Sequence, residues 1–195
     1  MSTITPPAAS KDSVKATLED YVQVEQSTGE RHEFQDGKLV KWVGGSGKHA
    51  LIASNFAILV MKAARLRGCQ TLLSDMRVQI AETNSIVYPD VVVTDGKPKF
   101  TTPTDTLTNP LLIVEVLSPS TEAYDRGDRF EQYCQFPSFK EYLQVSQDKV
   151  SVTQFVRQAD DNWLRMSFSA TTDQVKLRSL DTTIDVAEIY TQVEF

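Results

Sequence analysis

The chain of 195 residues is 41% hydrophobic and 24% charged, an ordinary soluble composition with enough length to bury a full core. Its formal net charge of −6 argues against broad nonspecific affinity for nucleic acid, and no run approaches the roughly 18 continuous apolar residues of a membrane span. Two isolated cysteines and two histidines make a disulfide framework or zinc site unexpected and point to a reducing cytoplasm.

Residues 1–11 are small, polar and proline-containing, the composition of a disordered tail, and lack the basic start and apolar core of a secretory signal. Residues 12–195 are expected to form a single domain. Val14, Leu18, Tyr21 and Val22 predict a first helix over about 13–26, with Thr17-x-x-Asp20 as a start signal. Asp36-Gly37 between residues 32–34 and 39–42 predicts a hairpin. The glycine-rich run 44–49 fails as a phosphate loop, since Trp42 and His49 stand where Gly and Ser or Thr are needed. It reads as an entry to a second helix over about 48–67.

On that helix Lys48, Ser54, Asn55, Lys62 and Arg65 share one arc. His49 falls on the core side near Ala53, Phe56 and Val60; a packed core role fits it, and its place at the helix entrance leaves a substrate-facing role open. Residues 31–67 hold seven Lys and Arg against two carboxylates, an excess of five that leaves −11 for the rest. Such a basic segment permits a phosphate-bearing partner, and charge runs are also often plain solvated faces.

Residues 71–80 and 86–93 each read as a strand, 95–110 as a turn-rich loop, and 111–117 as another strand. A helix over about 122–135 follows, with Glu122, Arg126, Arg129 and Tyr133 in one polar stripe. Strands are expected at 140–145, 150–157, 163–168 and 175–177, which makes the C-terminal part β-rich.

The sharpest signal is a single carboxylate inside each of two apolar runs: Asp90 after Pro89, and Glu115 in the middle of Leu-Leu-Ile-Val-Glu-Val-Leu. A carboxylate in a strand buried on both faces costs several kcal/mol unless a cation pairs with it. Alternation puts Glu115 on the side of Leu111, Ile113 and Leu117, and Asp90 on the side of Tyr88 and Val92. Either carboxylate alone fits an ion pair. Two on successive strands suggest a shared cation.

The pieces Pro-Asp-Val-Val-Val from residue 89, Ile-Val-Glu-Val-Leu-Ser-Pro-Ser-Thr from residue 113, and Asp125, Arg129 and Tyr133 at four-residue intervals resemble the Uma-two family of restriction-endonuclease-like proteins. Residues 30–40, His49 and 140–146 extend the resemblance over about residues 17–190. It implies an α/β (α+β) fold of the PD-(D/E)xK nuclease type: a mixed sheet flanked by helices, here with an additional β-rich C-terminal part. It also implies Mg²⁺-dependent hydrolysis of DNA phosphodiesters, with Mn²⁺ as a substitute, double-stranded DNA as partner and a homodimer as assembly. By that resemblance Asp90 and Glu115 are the metal ligands, Arg129 joins them as a catalytic group, and Glu33, His49 and Tyr133 are additional site residues. Lys48, Lys62 and Arg65 are the expected nucleic-acid contacts.

One departure stands out. The position two after Glu115, where the plain motif has Lys, is Leu117, and the family's Lys on the following helix is Arg129 here. Arginine stays protonated and cannot serve as a general base. The alternative is therefore a nuclease-fold protein that binds or regulates without cutting.

Overall fold

The structure, a computed structural model, describes residues 15–81, 83–101, 105–118 and 127–195. Helix α1 (Leu18–Thr28) starts at the signalled cap, because the Thr17 hydroxyl accepts from the Asp20 amide at 3.1 Å and the Asp20 carboxylate from the Thr17 amide at 2.7 Å. The reciprocal bonds satisfy two amides that no helical carbonyl can reach, so the helix begins there and not near residue 13. Strands β1 (His32–Gln35) and β2 (Lys38–Lys41) form the expected hairpin, with Asp36 and Gly37 both at positive φ.

Two expected strands are each split between sheets. Residues 71–80 become β3 (Thr71–Leu73) and β4 (Val78–Ile80), separated by a turn in which the Met76 amide donates to the Leu73 carbonyl at 2.8 Å. Residues 86–93 become β5 (Ser85–Val87) and β6 (Val91–Thr94). Pro89 accounts for the second break: it has no amide to offer a ladder and it restricts Tyr88 before it. The chain therefore changes sheets at Tyr88-Pro89-Asp90, which leaves Asp90 at a strand entrance. The expected loop at 95–110 contains β7 (Phe100–Thr101) and β8 (Thr106–Leu107), and Pro110 opens β9 (Pro110–Leu117).

Helix α3 (Asp128–Tyr133) falls within the helix expected at 122–135, and Glu122, Asp125 and Arg126 lie outside the described residues. Then come β10 (Glu141–Ser146), β11 (Val152–Arg157), β12 (Trp163–Phe168), β13 (Gln174–Leu177), β14 (Thr182–Asp185) and α4 (Val186–Ile189). The central sheet runs β12-β11-β10-β9-β6-β3, with β9 and β10 parallel and the other neighbours antiparallel. A second sheet runs β2-β1-β5-β4-β8-β7, and β13 and β14 form a small third one.

Alternation along the central strands sorts the core into two layers. Val91, Val93, Leu112 and Val114 face helix α2 (Gly47–Leu66), whose Ile52, Phe56, Val60 and Ala64 recur every four residues. Val92 and Ile113 face the opposite side, into Tyr133, Phe136, Phe139 and Tyr142. Among the described helices α2 alone is long and apolar enough to cross a membrane, and the stripe it packs on the sheet accounts for much of that apolarity.

Candidate active site

The β6–β9 register pairs Val91 with Val114, so the next step brings Asp90 opposite Glu115. The two residues lock together at that point. The Asp90 amide donates to Glu115 Oε2 at 3.4 Å, and the Val116 amide donates to Asp90 Oδ2 at 2.7 Å. Both carboxylates are buried, as is Glu33 on β1.

Arg129 on α3 supplies the countercharge. Its Nη2 lies 2.6 Å from both oxygens of Glu33, and its Nη1 donates to Glu115 Oε1 at 3.1 Å. The planar fork suits this double attachment, which a lysine ammonium could not reproduce. One turn on, the Tyr133 hydroxyl donates to Glu115 Oε1 at 2.7 Å. Burial, then the neighbouring Glu115 charge, pushes the Tyr133 phenol well above its ordinary pKa, so it stays a donor.

His49 enters from the first turn of α2, with Nε2 2.7 Å from Asp90 Oδ1. It belongs to the site, not to the apolar core that its helical position also allowed. The Ser46 hydroxyl accepts from the His49 amide at 3.2 Å and donates to Gln147 Oε1 at 2.7 Å, tying the helix entrance to the end of β10. A Cβ on Gly45 would lie 2.5–2.9 Å from His49 atoms, so this position needs glycine for the imidazole to pass.

These groups form the floor of a cleft of about 380 Å³, walled by β2 and the segment after it, including Val40, Lys41, Trp42 and Gly45. Tyr88 braces that floor: its amide donates to Glu33 Oε1 at 3.3 Å and its hydroxyl to Glu25 Oε2 at 2.9 Å, while Arg77 pairs with the same Glu25 at 3.1 Å. Burial pushes the Tyr88 phenol upward as well, keeping the donor protonated.

Asp90 and Glu115 are the residues suited to hold a metal ion. Both are hard oxygen donors on adjacent strands, both border the cleft, and a magnesium ion commonly takes only one or two carboxylates plus waters. Among the described residues no group of three or more His, Cys, Asp or Glu side chains is arranged around one metal position. Charge favours a cation: among the described site residues three carboxylates face one guanidinium and one imidazole.

The structure thus gathers Glu33, His49, Asp90, Glu115, Arg129 and Tyr133 in one place. It does not gather the expected nucleic-acid contacts. Lys48 stands near the cleft end of α2, its Nζ 6.0 Å from the Phe195 ring. Lys62 and Arg65, by contrast, border a shallow groove with Ile58 and Leu66 on the far part of the helix. Fourteen residues at 1.5 Å separate Lys48 from Lys62 by about 21 Å. Trp42, Gly45, Ser46 and Tyr88 were not among the sequence candidates. A tryptophan just past a strand end, one residue before a glycine-rich run, was the available signal for Trp42.

The mixed central sheet between α2 and α3, with its carboxylates at the meeting of β6 and β9, defines a restriction-endonuclease-like α/β fold. The fold is similar to that of a solved structure titled "Crystal structure of a putative nuclease belonging to DUF820 from Anabaena variabilis ATCC 29413". The TM-score is 0.69 at 15% identity, over 86% of this chain and 93% of that one. The sequence profile of Uma2, described as "Putative restriction endonuclease", matches residues 18–187, and the chain belongs to this family. Two relatives come from Synechocystis sp. (strain ATCC 27184 / PCC 6803 / Kazusa). "Uncharacterized protein slr1290" is 36% identical over 93% of this chain and 94% of its own length. "Uncharacterized protein sll1609" is 36% identical over 76% of this chain and 84% of its own length.

Proposed function

We propose that the chain is a metal-dependent DNA endonuclease whose Asp90 and Glu115 hold a magnesium ion, replaceable by manganese. The supporting observation is the cross-strand Asp90–Glu115 pair, open to a cleft and flanked by Arg129, Tyr133 and His49. When bound, the cation would lower the pKa of a water and offset charge building up on the phosphate. Arg129 keeps its positive charge at every accessible pH and orients Glu33 and Glu115. Tyr133 holds Glu115 in place through its proton, and His49 fixes the rotamer of Asp90 from the cleft side.

The test is a manganese titration followed by thermal melting. Wild type should gain melting temperature by mass action on the folded state, and Asp90→Asn should keep the fold and lose the gain. Equal stabilisation of both proteins would remove the site. Nicking of supercoiled plasmid in Mn²⁺, with Glu115→Ala as the blank, then reads the activity.

A second reading, a nuclease-fold module that binds DNA without cutting, is favoured by one feature. Arg129 occupies the Lys position of the family pattern and its guanidinium is spent on Glu33 and Glu115. Metal-dependent binding with no nicking by wild type would select this reading.

A further inference from the structure

A second cavity, of about 180 Å³, opens beside the main cleft and shares Trp42, Gly45, His49 and Asp90 with it. The His49–Asp90 pair therefore stands at a waist, with space on either side. A strand laid across that waist would set one unit in each cavity.

Depth bears on what kind of chain. The carboxylates at the cleft floor are only 3–8% exposed. A phosphate must come down into the cleft to meet them, and a flexible single strand bends its backbone inward more readily than a stiff duplex.

The waist wall has matching chemistry. Trp42 borders both cavities, and its half-buried ring rests 6.3 Å from the Tyr88 ring and 5.1 Å from the Arg31 guanidinium. Val40 and Val43 add exposed apolar surface beside it, and Lys41 adds a cation. Aromatic surface next to cationic groups is the composition of a single-strand groove, where bases stack and phosphates pair.

Building on the nuclease reading above, we propose that the site takes a single, unpaired nucleic-acid strand, with Trp42 as the stacking residue that holds a base beside the His49–Asp90 waist. A duplex must open locally before its phosphate reaches the carboxylates.

The experiment uses the full chain in Ca²⁺ buffer with an oligothymidylate and with the same oligonucleotide annealed to its complement. The expected result is tighter binding of the single strand and quenching of tryptophan fluorescence, with Trp163, packed on Phe139, contributing little to the change. Trp42→Ala should weaken single-strand binding about tenfold and remove the quenching, while Trp42→Phe keeps most of the affinity. The manganese-dependent rise in melting should be the same in both variants. Duplex bound as tightly as single strand, or Trp42→Ala binding like wild type, overturns the proposal. If plasmid duplex is still nicked in that case, the nuclease reading stands; if no nucleic acid is bound or cut, both fall.

Discussion

Glu141 and the cleft carboxylates are buried to a similar degree, yet they are held in different ways. Glu141, at the start of β10, accepts from the Gln154 side chain, from the amides of Arg178 and Ser179 at 3.1 and 3.0 Å, and from the Ser179 hydroxyl at 2.5 Å. Every one of these donors is neutral, and they join the segment after β13 to β10 and β11 of the central sheet. Burial raises the Glu141 pKa. Glu33 and Glu115 are instead held by a guanidinium, and together with Asp90 they border open space. A buried carboxylate enclosed by neutral donors ties the fold together. One held by a countercharge at a cleft floor remains available to a ligand, and this contrast supports assigning function to the second group.

The contrast is tested most severely at Arg129. Arg129→Ala would leave Glu33 and Glu115 without their cation, at a cost of about 3–5 kcal/mol. Urea unfolding should show that loss, and Mn²⁺ should restore part of it. A loss smaller than that of Glu141→Gln would erase the distinction between the two regions. Arg129→Lys keeps the charge but gives up the fork, so it should cost about 1.5–3 kcal/mol, comparable to one charged hydrogen bond. Its compact ammonium should also raise nicking above a weak wild-type level. Robust wild-type cutting that the lysine lowers would make Arg129 an adapted catalytic group.

At Glu141 the expected loss is smaller than for Arg129→Ala. Glu141→Gln turns an amide nitrogen toward donors, costing about 1–3 kcal/mol, with the manganese effect on melting unchanged. The variant also has a pH signature. Because its folded pKa lies above the ordinary 4.5, Glu141 contributes stability that is fully present below that value and is lost as pH rises through the folded pKa. Melting temperatures measured from about pH 4 upward should therefore fall less with pH in Glu141→Gln than in wild type. Parallel curves would mean that Glu141 titrates as it does in the unfolded chain.

Much of this was legible in the sequence, and for physical reasons. The Thr17–Asp20 cap, the Asp36-Gly37 hairpin and the two carboxylates in apolar runs are local signals, and local geometry carried them through. Glu33, His49, Arg129 and Tyr133 came from the family resemblance, and the structure places all four in contact with Asp90 or Glu115 or, for Glu33, with Arg129. The sheet changes at Leu73 and Pro89 were not foreseen, because periodicity shows that a segment is extended but not which neighbour it pairs with. Ser46 and Gln147 are 101 residues apart, and nothing local joins them. Glu141 was overlooked because Lys140 and Gln144 make its strand look solvated, although it shares a face with the buried Leu143 and Val145.

The smallest effect is expected at Lys62 and Arg65, which the basic arc of α2 nominated for DNA contact. Both are exposed, and they stand about 21 and 26 Å along the helix from Lys48, beside Ile58 and Leu66, so they can meet only nucleic acid that has left the cleft and follows α2. Each phosphate contact contributes about 0.9 to the slope of log affinity against log salt for duplex and about 0.7 for a single strand. Reversing both charges should therefore weaken binding several-fold and flatten the slope by no more than about 2. The melting response to Mn²⁺ should not move, since no carboxylate of the cleft touches either residue. The measurement is binding of oligonucleotides of increasing length across a salt series: short strands that fill only the cleft should bind both proteins alike, and longer ones should reveal the difference. A salt slope unchanged at every length would detach this part of α2 from nucleic-acid binding and leave the cleft to hold the strand by itself.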